Sequence, residues 1–513
     1  MKNPEKATVL VEKMLDFAQV HGLMEAEDRC YTRNLLLDAL GMAAPEGTVG
    51  TEPGELPPTL TPILEELTRM AAAAGLVDEG AEAREHFGVR LCGLITPHPQ
   101  AVRERFEALY RQEGPQAATD WFYQMCRDCD YIKVDHIAKN LLFERDTPAG
   151  RLEITINLSK PEKDPRDIAK ALTAKQVSYP PCMLCVENPG YAGRPGFPAR
   201  QNHRVVPIDL AGAPFYLQYS PYLYYGEHCI VFNRVHRPMA IDHDAFCRLF
   251  AFVEKFPHYF LGSNADLPIV GGSILSHDHF QGGNHLFPMD RAGVRMELQA
   301  PDQRIQAWVA DWPMTCVRLV CPEKEPLIQA ADDMLAAWRG YSDPELGILA
   351  HTDAPHNTIT PIVRRQGAQW VMNLVLRNNR TDEEHPLGIF HPHSGLHHIK
   401  KENIGLIEVM GLFILPGRLL KEMDLCRDYL TGHRPIEDAP DPEEAVFKHY
   451  EWVKELYARA GRPLSREAAW ELLQQGIGEK CAQVLADAGV YKADAAGAAG
   501  LLRFLSTLGY QRR

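Results

Sequence analysis

The stretch Gly271–Gly283, GGSILSHDHFQGG, decides how this chain is read. In an extended backbone side chains alternate faces, so His277, His279 and Gln281 share one side of a strand while Asp278 and Phe280 take the other. Two imidazoles about 7 Å apart on one rigid face, followed by an amide and a Gly-Gly, fill a core poorly. They suit a phosphorus or metal centre. His279 is the best nucleophile: a neutral imidazole nitrogen can attack phosphorus and later leave, dividing one difficult displacement into two easier ones. That chemistry requires the other ring nitrogen to keep its proton on a carbonyl or carboxylate. Gln281 can donate its amide hydrogen to a non-bridging phosphoryl oxygen, and Gly282 and Gly283 let the backbone approach a phosphate closely. A rival reading makes both histidines ligands of a hydrolytic metal, with Asp278 assisting. Alternation turns Asp278 to the wrong side for that.

Outward from this stretch the texture is α+β. Residues 1–135 read as a helical N-terminal region, with apolar positions at three- and four-residue spacing in VLVEKMLDFAQVHGL and AVRERFEALYRQ. From Leu141 the pattern becomes strand-like, as in LLFERDTPAGRLEITINLSK with its turn at Thr147–Gly150. A helix over DHDAFCRLFAFVEKFPHYF leads into the histidine stretch. The expected divisions are a β-rich half with the histidine motif over 136–300, a second β-rich half over 301–430, and a helical C-terminal region over 431–513. Two β-rich segments of similar size are compatible with two copies of one fold.

Composition narrows the function classes. The 513 residues are 45% hydrophobic and 24% charged, as in an ordinary soluble globular protein. A formal charge of −14 argues against general nucleic-acid binding, which needs a basic surface, so an anionic ligand requires a locally basic pocket. No apolar run is long enough to span a membrane, and the start MKNPEKATVLVEKML lacks the pattern of a secretion signal. Twelve scattered cysteines then point to free thiols or metal ligands in a reducing compartment, so the expected location is the cytoplasm.

Cys182 and Cys185 form a CxxC in YPPCMLCVENPGY. Two thiolates at that spacing can bind one zinc, which needs four ligands in a closed site, and His236 and His277 are candidates to complete it. Cys126 and Cys129, in MCRDCD, are a competing pair. Phosphate-binding cations are available in NLSKPEKDPRD (Lys160, Lys163, Arg166) and ARQNHRVVP (Arg200, His203, Arg204). The run HPHSGLHHIKKE, with His391, His393, His397, His398, Lys400 and Lys401, reads as a phosphate or second metal locus.

The combination of SHDHFQGG, YPPCMLCVENPGYAGR, QYSPYLYYGEHCIVFN, GSNADLPIVGG and HHIKKENIGLIEVMG resembles the type 2 galactose-1-phosphate uridylyltransferases, of the histidine-triad superfamily. The resemblance spans residues 130–430 and implies two histidine-triad-like antiparallel-sheet halves. It also implies a ping-pong reaction, in which UDP-glucose gives its uridylyl group to a histidine and galactose-1-phosphate then takes it. His279 matches the nucleophile of the family's His-x-His-x-Gln signature, and Gln281 the glutamine that steadies the phosphate. Cys182, Cys185, His236 and His277 fall in the order of the zinc ligands of the type 1 branch, so a structural zinc and no organic cofactor are implied. Asn202, Asn264, Lys160, Lys163, Lys400, Gly282 and Gly283 make up the expected substrate-binding set, and a homodimer is the expected assembly. Asp278 departs from the proline of the type 1 signature, and the type 1 iron site has no clean counterpart. A nucleotide hydrolase or phosphorylase of the same superfamily, or a UDP-sugar-binding zinc protein without turnover, would share these motifs and differ in the fate of the nucleotide.

Overall fold

The computed structural model describes residues 3–47, 55–159 and 177–513; Lys160, Lys163 and Arg166 lie outside them. Among the described residues the strands in chain order are β1 (Leu141–Thr147), β2 (Gly150–Asn157), β3 (Val206–Leu210), β4 (Ala213–Tyr219), β5 (Cys229–Asn233), β6 (Phe260–Gly262), β7 (His279–Gly283), β8 (Val294–Gln299), β9 (Gln306–Ala310), β10 (Cys316–Cys321), β11 (Asn357–Gln366), β12 (Gln369–Asn378), β13 (Leu412–Pro416) and β14 (Gln511–Arg512). The chain forms two compact units. The first comprises Met1–Lys139, Ser159–Leu223 and Glu227–Arg237, and the second Asn140–Leu158, Tyr224–Gly226 and Pro238–Arg513.

The first unit begins with helices, as the three- and four-residue periodicity requires. In Pro4–Val20 the stripe Ala7, Val11, Met14, Leu15 and Ala18 is buried, and the Asn3 side chain accepts the Lys6 N–H at 3.1 Å to cap the first turn. Proline also occupies the first turn of Thr61–Ala73, Pro99–Gln112 and Pro115–Asp128, where its missing N–H costs no helical bond. Strands β3, β4 and β5 follow as an antiparallel meander, Val206 opposite Leu217 and Tyr219 opposite Cys229.

In the second unit β1 and β2 form a hairpin closed by Thr147 and Gly150, and β13 joins β2 in parallel, with Leu412 level with Glu153. The other strands of this unit make a sheet in the order β14-β8-β9-β10-β12-β11-β6-β7, with antiparallel neighbours. An order of three strands, a helix and two strands occurs twice along the chain. Its first copy is β3, β4, β5, His243–Lys255, β6 and β7; its second is β8, β9, β10, Glu325–Gly340, β11 and β12. The architecture is therefore α+β. Helix His243–Lys255 starts where Asp242 Oδ1 accepts the Ala245 N–H at 2.8 Å. The C-terminal helices Arg418–Leu430, Tyr450–Ala460 and Arg466–Ala488 bury Met423, Leu456 and Ile477 in one core with Ile154 and Phe413. Each such side chain stabilises the unit by about 1.5–3 kcal/mol.

Candidate active site

Strand β7 begins at His279, not at His277, so the run is not one continuous strand. The preceding loop is tight: a Cβ on Gly271 would lie 2.6 Å from the Ala265 and Leu267 carbonyl oxygens, and one on Gly272 would lie 2.7 Å from Asn264 Nδ2. This loop delivers the His277 carbonyl to His279, whose Nδ1 is 2.7 Å from it. A carbonyl oxygen can only accept, so Nδ1 carries the proton and donates, and Nε2 is left unprotonated. His279 is 6% exposed. Burial pushes its pKa below the ordinary value, the bond to the His277 carbonyl opposes that, and the His277 imidazole lowers it further. At neutral pH the ring is a neutral base with its tautomer fixed.

Register defines the face on which His279 acts. Gln281 pairs with Gly262 on β6, and cross-strand partners share a face. Gly262 is covered by Leu406, whose Cδ1 would lie 2.9 Å from an added Cβ. His279 therefore faces the side of the sheet that carries the Ile404–Glu408 segment. Two buried side chains hold that segment: Asn264 Oδ1 accepts the Leu406 N–H at 2.8 Å, and Arg377 Nη2 donates to the Ile404 carbonyl at 2.9 Å. Lys400 is buried with its Nζ 2.9 Å from Glu408 Oε1. At the other end of β7 the Tyr225 hydroxyl donates to the Gly282 carbonyl at 3.1 Å, and Gly283 has φ +148°, which favours glycine. Just beyond the strand, His285 Nε2 is 2.7 Å from Glu153 Oε2.

The first unit holds a cluster of sulfur and nitrogen donors. Cys182 Sγ and Cys185 Sγ are 3.4 Å apart and Cys185 Sγ is 3.0 Å from His236 Nδ1; the three donor atoms lie within 4.8 Å of one another. Donors around one zinc ion are roughly 3.3–3.8 Å apart for the usual bond lengths. The turn is shaped for sulfur ligation: the Leu184 N–H points at Cys182 Sγ at 3.3 Å, and Asn188 Nδ2 donates to both cysteine carbonyls at 2.8 Å. Burial, with Cys182 adding to it, pushes the Cys185 thiol up to about 12, so a bound cation is what would hold it as thiolate. These residues can hold a metal ion.

The family pattern described as "Galactose-1-phosphate uridyl transferase, N-terminal domain" matches residues 23–238, and its C-terminal counterpart matches residues 252–430. The chain belongs to the galactose-1-phosphate uridylyltransferase family. Proteins named galactose-1-phosphate uridylyltransferase are 44% identical in Caldanaerobacter subterraneus subsp. tengcongensis and 47% identical in Halalkalibacterium halodurans, each match covering 98% of both chains. The one from Bacillus subtilis (strain 168) is 46% identical over 97% of each.

The structure brings the expected site residues of this family member together only in part. His279, Gln281, Gly282 and Gly283 share β7, and Asn264 and Lys400 stand at the segment that covers its face. Asn264 and Lys400 are engaged by Leu406 and Glu408 respectively. Asn202 lies in the first unit, 2% exposed, with Nδ2 donating to the Cys129 carbonyl at 3.0 Å. Cys126 and Cys129 are buried, and Cys129 Sγ contacts the carbonyls of Cys126 and Asn202; among the described residues neither belongs to a metal-ligating group. Arg377, Glu408 and Tyr225 escape the sequence reading. Arg377 carries no motif of its own, whereas Glu408 and Tyr225 lie in the quoted runs HHIKKENIGLIEVMG and QYSPYLYYGEHC, where the neighbouring basic and tyrosine residues mask them.

Proposed function

We propose that this chain transfers a uridylyl group from UDP-glucose to galactose-1-phosphate through a covalent intermediate on His279. The bond from His279 Nδ1 to the His277 carbonyl is the observation that carries this reading. Nε2 attacks the phosphorus next to uridine, an N–P bond forms, and the P–O bond to the second phosphate breaks as glucose-1-phosphate leaves. Because Nδ1 keeps its proton, the uridylylated ring is cationic and leaves as neutral imidazole. An oxygen of the galactose-1-phosphate phosphate then attacks, the N–P bond breaks, and UDP-galactose forms with no net proton change at the ring. Gln281 donates to a non-bridging oxygen as charge builds there. Intact-protein mass spectrometry with UDP-glucose tests the scheme. One uridylyl mass should appear and be discharged by galactose-1-phosphate; binding of UDP-glucose with no adduct overturns it.

A pH prediction follows with a definite sign. The nucleophile must be neutral and its folded pKa lies below the ordinary histidine value, so the first half-reaction keeps its rate down to that value and falls at lower pH. A single-turnover profile whose acid limb lies above pH 7 would contradict this.

Cys182, Cys185 and His236 would hold zinc in this reading. Zinc would supply a fixed structural node for the turn that carries the two cysteines. Elemental analysis of the purified chain is expected to find one zinc ion, and Cys182→Ser to lose most of it together with thermal stability. A metal-free wild type with full stability would exclude the site.

A further inference from the structure

A second group of histidines lies in the second unit and takes no part in the scheme above. Glu422, on helix Arg418–Leu430, is buried and has Oε2 3.0 Å from His449 Nε2 and Oε1 2.6 Å from Lys448 Nζ. Burial alone would raise its carboxyl, but the bonds from His449 and Lys448 outweigh that and hold it down at about 2. A carboxylate only accepts, so His449 Nε2 carries a proton. The His449 ring is fully buried and its pKa is lowered, chiefly by that burial, so its Nδ1 is a lone pair. His398 Nδ1 lies 2.8 Å from that lone pair and must be the donor. His398 Nε2 is therefore an acceptor. Burial, with His449 next, holds His398 neutral down to about pH 3.

His398 lines a cavity of about 560 Å³ together with Ser394, His397, Trp452, Lys448 and Lys480. Lys480 has no ion-pair partner among the described residues. Glu451, itself paired with Lys454, and Glu455 also line the cavity. The relay carboxylate Glu422 is shared by Lys448 and Arg418, at 2.6 and 3.0 Å. The lining carries Lys448 and Lys480 against Glu451 and Glu455, and Lys454 outside it takes up Glu451 at 2.8 Å, in a chain whose formal charge is −14. Ammonium groups disfavour a metal cation here and favour an oxyanion. An oxyanion alone leaves His398 Nε2 unused, because an acceptor needs a donor from the ligand.

We propose that this cavity binds a phosphate group that also offers a hydroxyl, the lysines taking the phosphate oxygens and His398 Nε2 accepting the hydroxyl hydrogen. Two sources share that chemistry: a hydroxyl-bearing phosphate monoester and inorganic hydrogen phosphate. The HPHSGLHHIKKE run then contributes one half to each place, Lys400 to the face over β7 and His398 to this second cavity.

The test is isothermal titration of the full chain with glycerol phosphate and, separately, with inorganic phosphate, in wild type, Lys480→Met, Lys480→Arg and His398→Asn. Trp452, its ring 5.3 Å from His398, gives a parallel fluorescence signal. A binding event that weakens at least about tenfold in Lys480→Met and His398→Asn, and recovers in Lys480→Arg, supports the site. Uridylyl transfer in these variants should stay within about twofold of wild type. Tighter binding of glycerol phosphate assigns the site to a monoester, and equal binding assigns it to inorganic phosphate. No event at millimolar ligand, or an event the variants leave unchanged, overturns the proposal.

Discussion

His279→Gly should reduce uridylyl transfer by about 10⁵-fold or more, equivalent to about 7 kcal/mol of lost transition-state stabilisation. The size follows from the role. A nucleophile cannot be replaced by a neighbour, and the tight loop before β7 spends its geometry on fixing one tautomer of one ring. The fold should survive. The substitution removes one buried imidazole from a five-residue strand and adds glycine flexibility worth roughly 0.5–1 kcal/mol. Gln281→Ala should cost much less, about 10²–10³-fold, because it deletes one stabilising donor and leaves the covalent step intact. Progress curves for both variants, with circular dichroism melts, check the pair. A His279→Gly enzyme retaining a few per cent of wild-type rate, or one that is unfolded, would remove the basis for the assignment.

Local signals in the sequence were the ones that carried through to the fold. The β1–β2 hairpin is closed where the Thr147–Gly150 turn chemistry places it, and helix His243–Lys255 starts at the Asp242 cap. In the His-x-His-x-Gln stretch the shared face of His279 and Gln281 was legible from strand alternation. The backbone before His279 was not. A regular strand through His277 would commit its carbonyl to a ladder, whereas the glycine loop from Gly271 turns that carbonyl to the His279 ring. Non-local pairing was also invisible. Nothing in LEITIN announces β13 as its parallel neighbour, because parallel partners are set by a crossover whose length the pattern does not constrain. Lys400 reads as a phosphate-binding cation in a basic run and is 4% exposed, with its Nζ 2.9 Å from Glu408, eight residues downstream.

That burial makes Glu408→Gln the substitution with the largest expected effect on stability. Lys400 and Arg377 are both buried, and Arg377, 1% exposed, has no carboxylate within ion-pair distance among the described residues. Burial pulls the Arg377 pKa down to about 10, with Glu408 opposing that fall. Burial also works against the Lys400 charge, but Glu408 more than offsets it and raises the Lys400 pKa. One carboxylate therefore serves two buried cations. Replacing it with an amide leaves Lys400 only Glu402, at 3.9 Å, and leaves Arg377 without the carboxylate that opposes its burial; breaking a buried pair from one side costs about 3–5 kcal/mol. The sign with pH is fixed as well: the raised Lys400 pKa means its contribution is fully present at neutral pH and is lost only as pH rises through the folded value. A urea denaturation at pH 7 should show the midpoint of Glu408→Gln well below wild type. Adding Lys400→Met to that background should recover part of the loss, since it removes one stranded charge. Transfer should fall alongside, because Arg377 and Asn264 hold Ile404 and Leu406 over the face that His279 and Gln281 share. If Glu408→Gln unfolds within about 1 kcal/mol of wild type, in the range of an exposed pair, these cations are held by something other than Glu408.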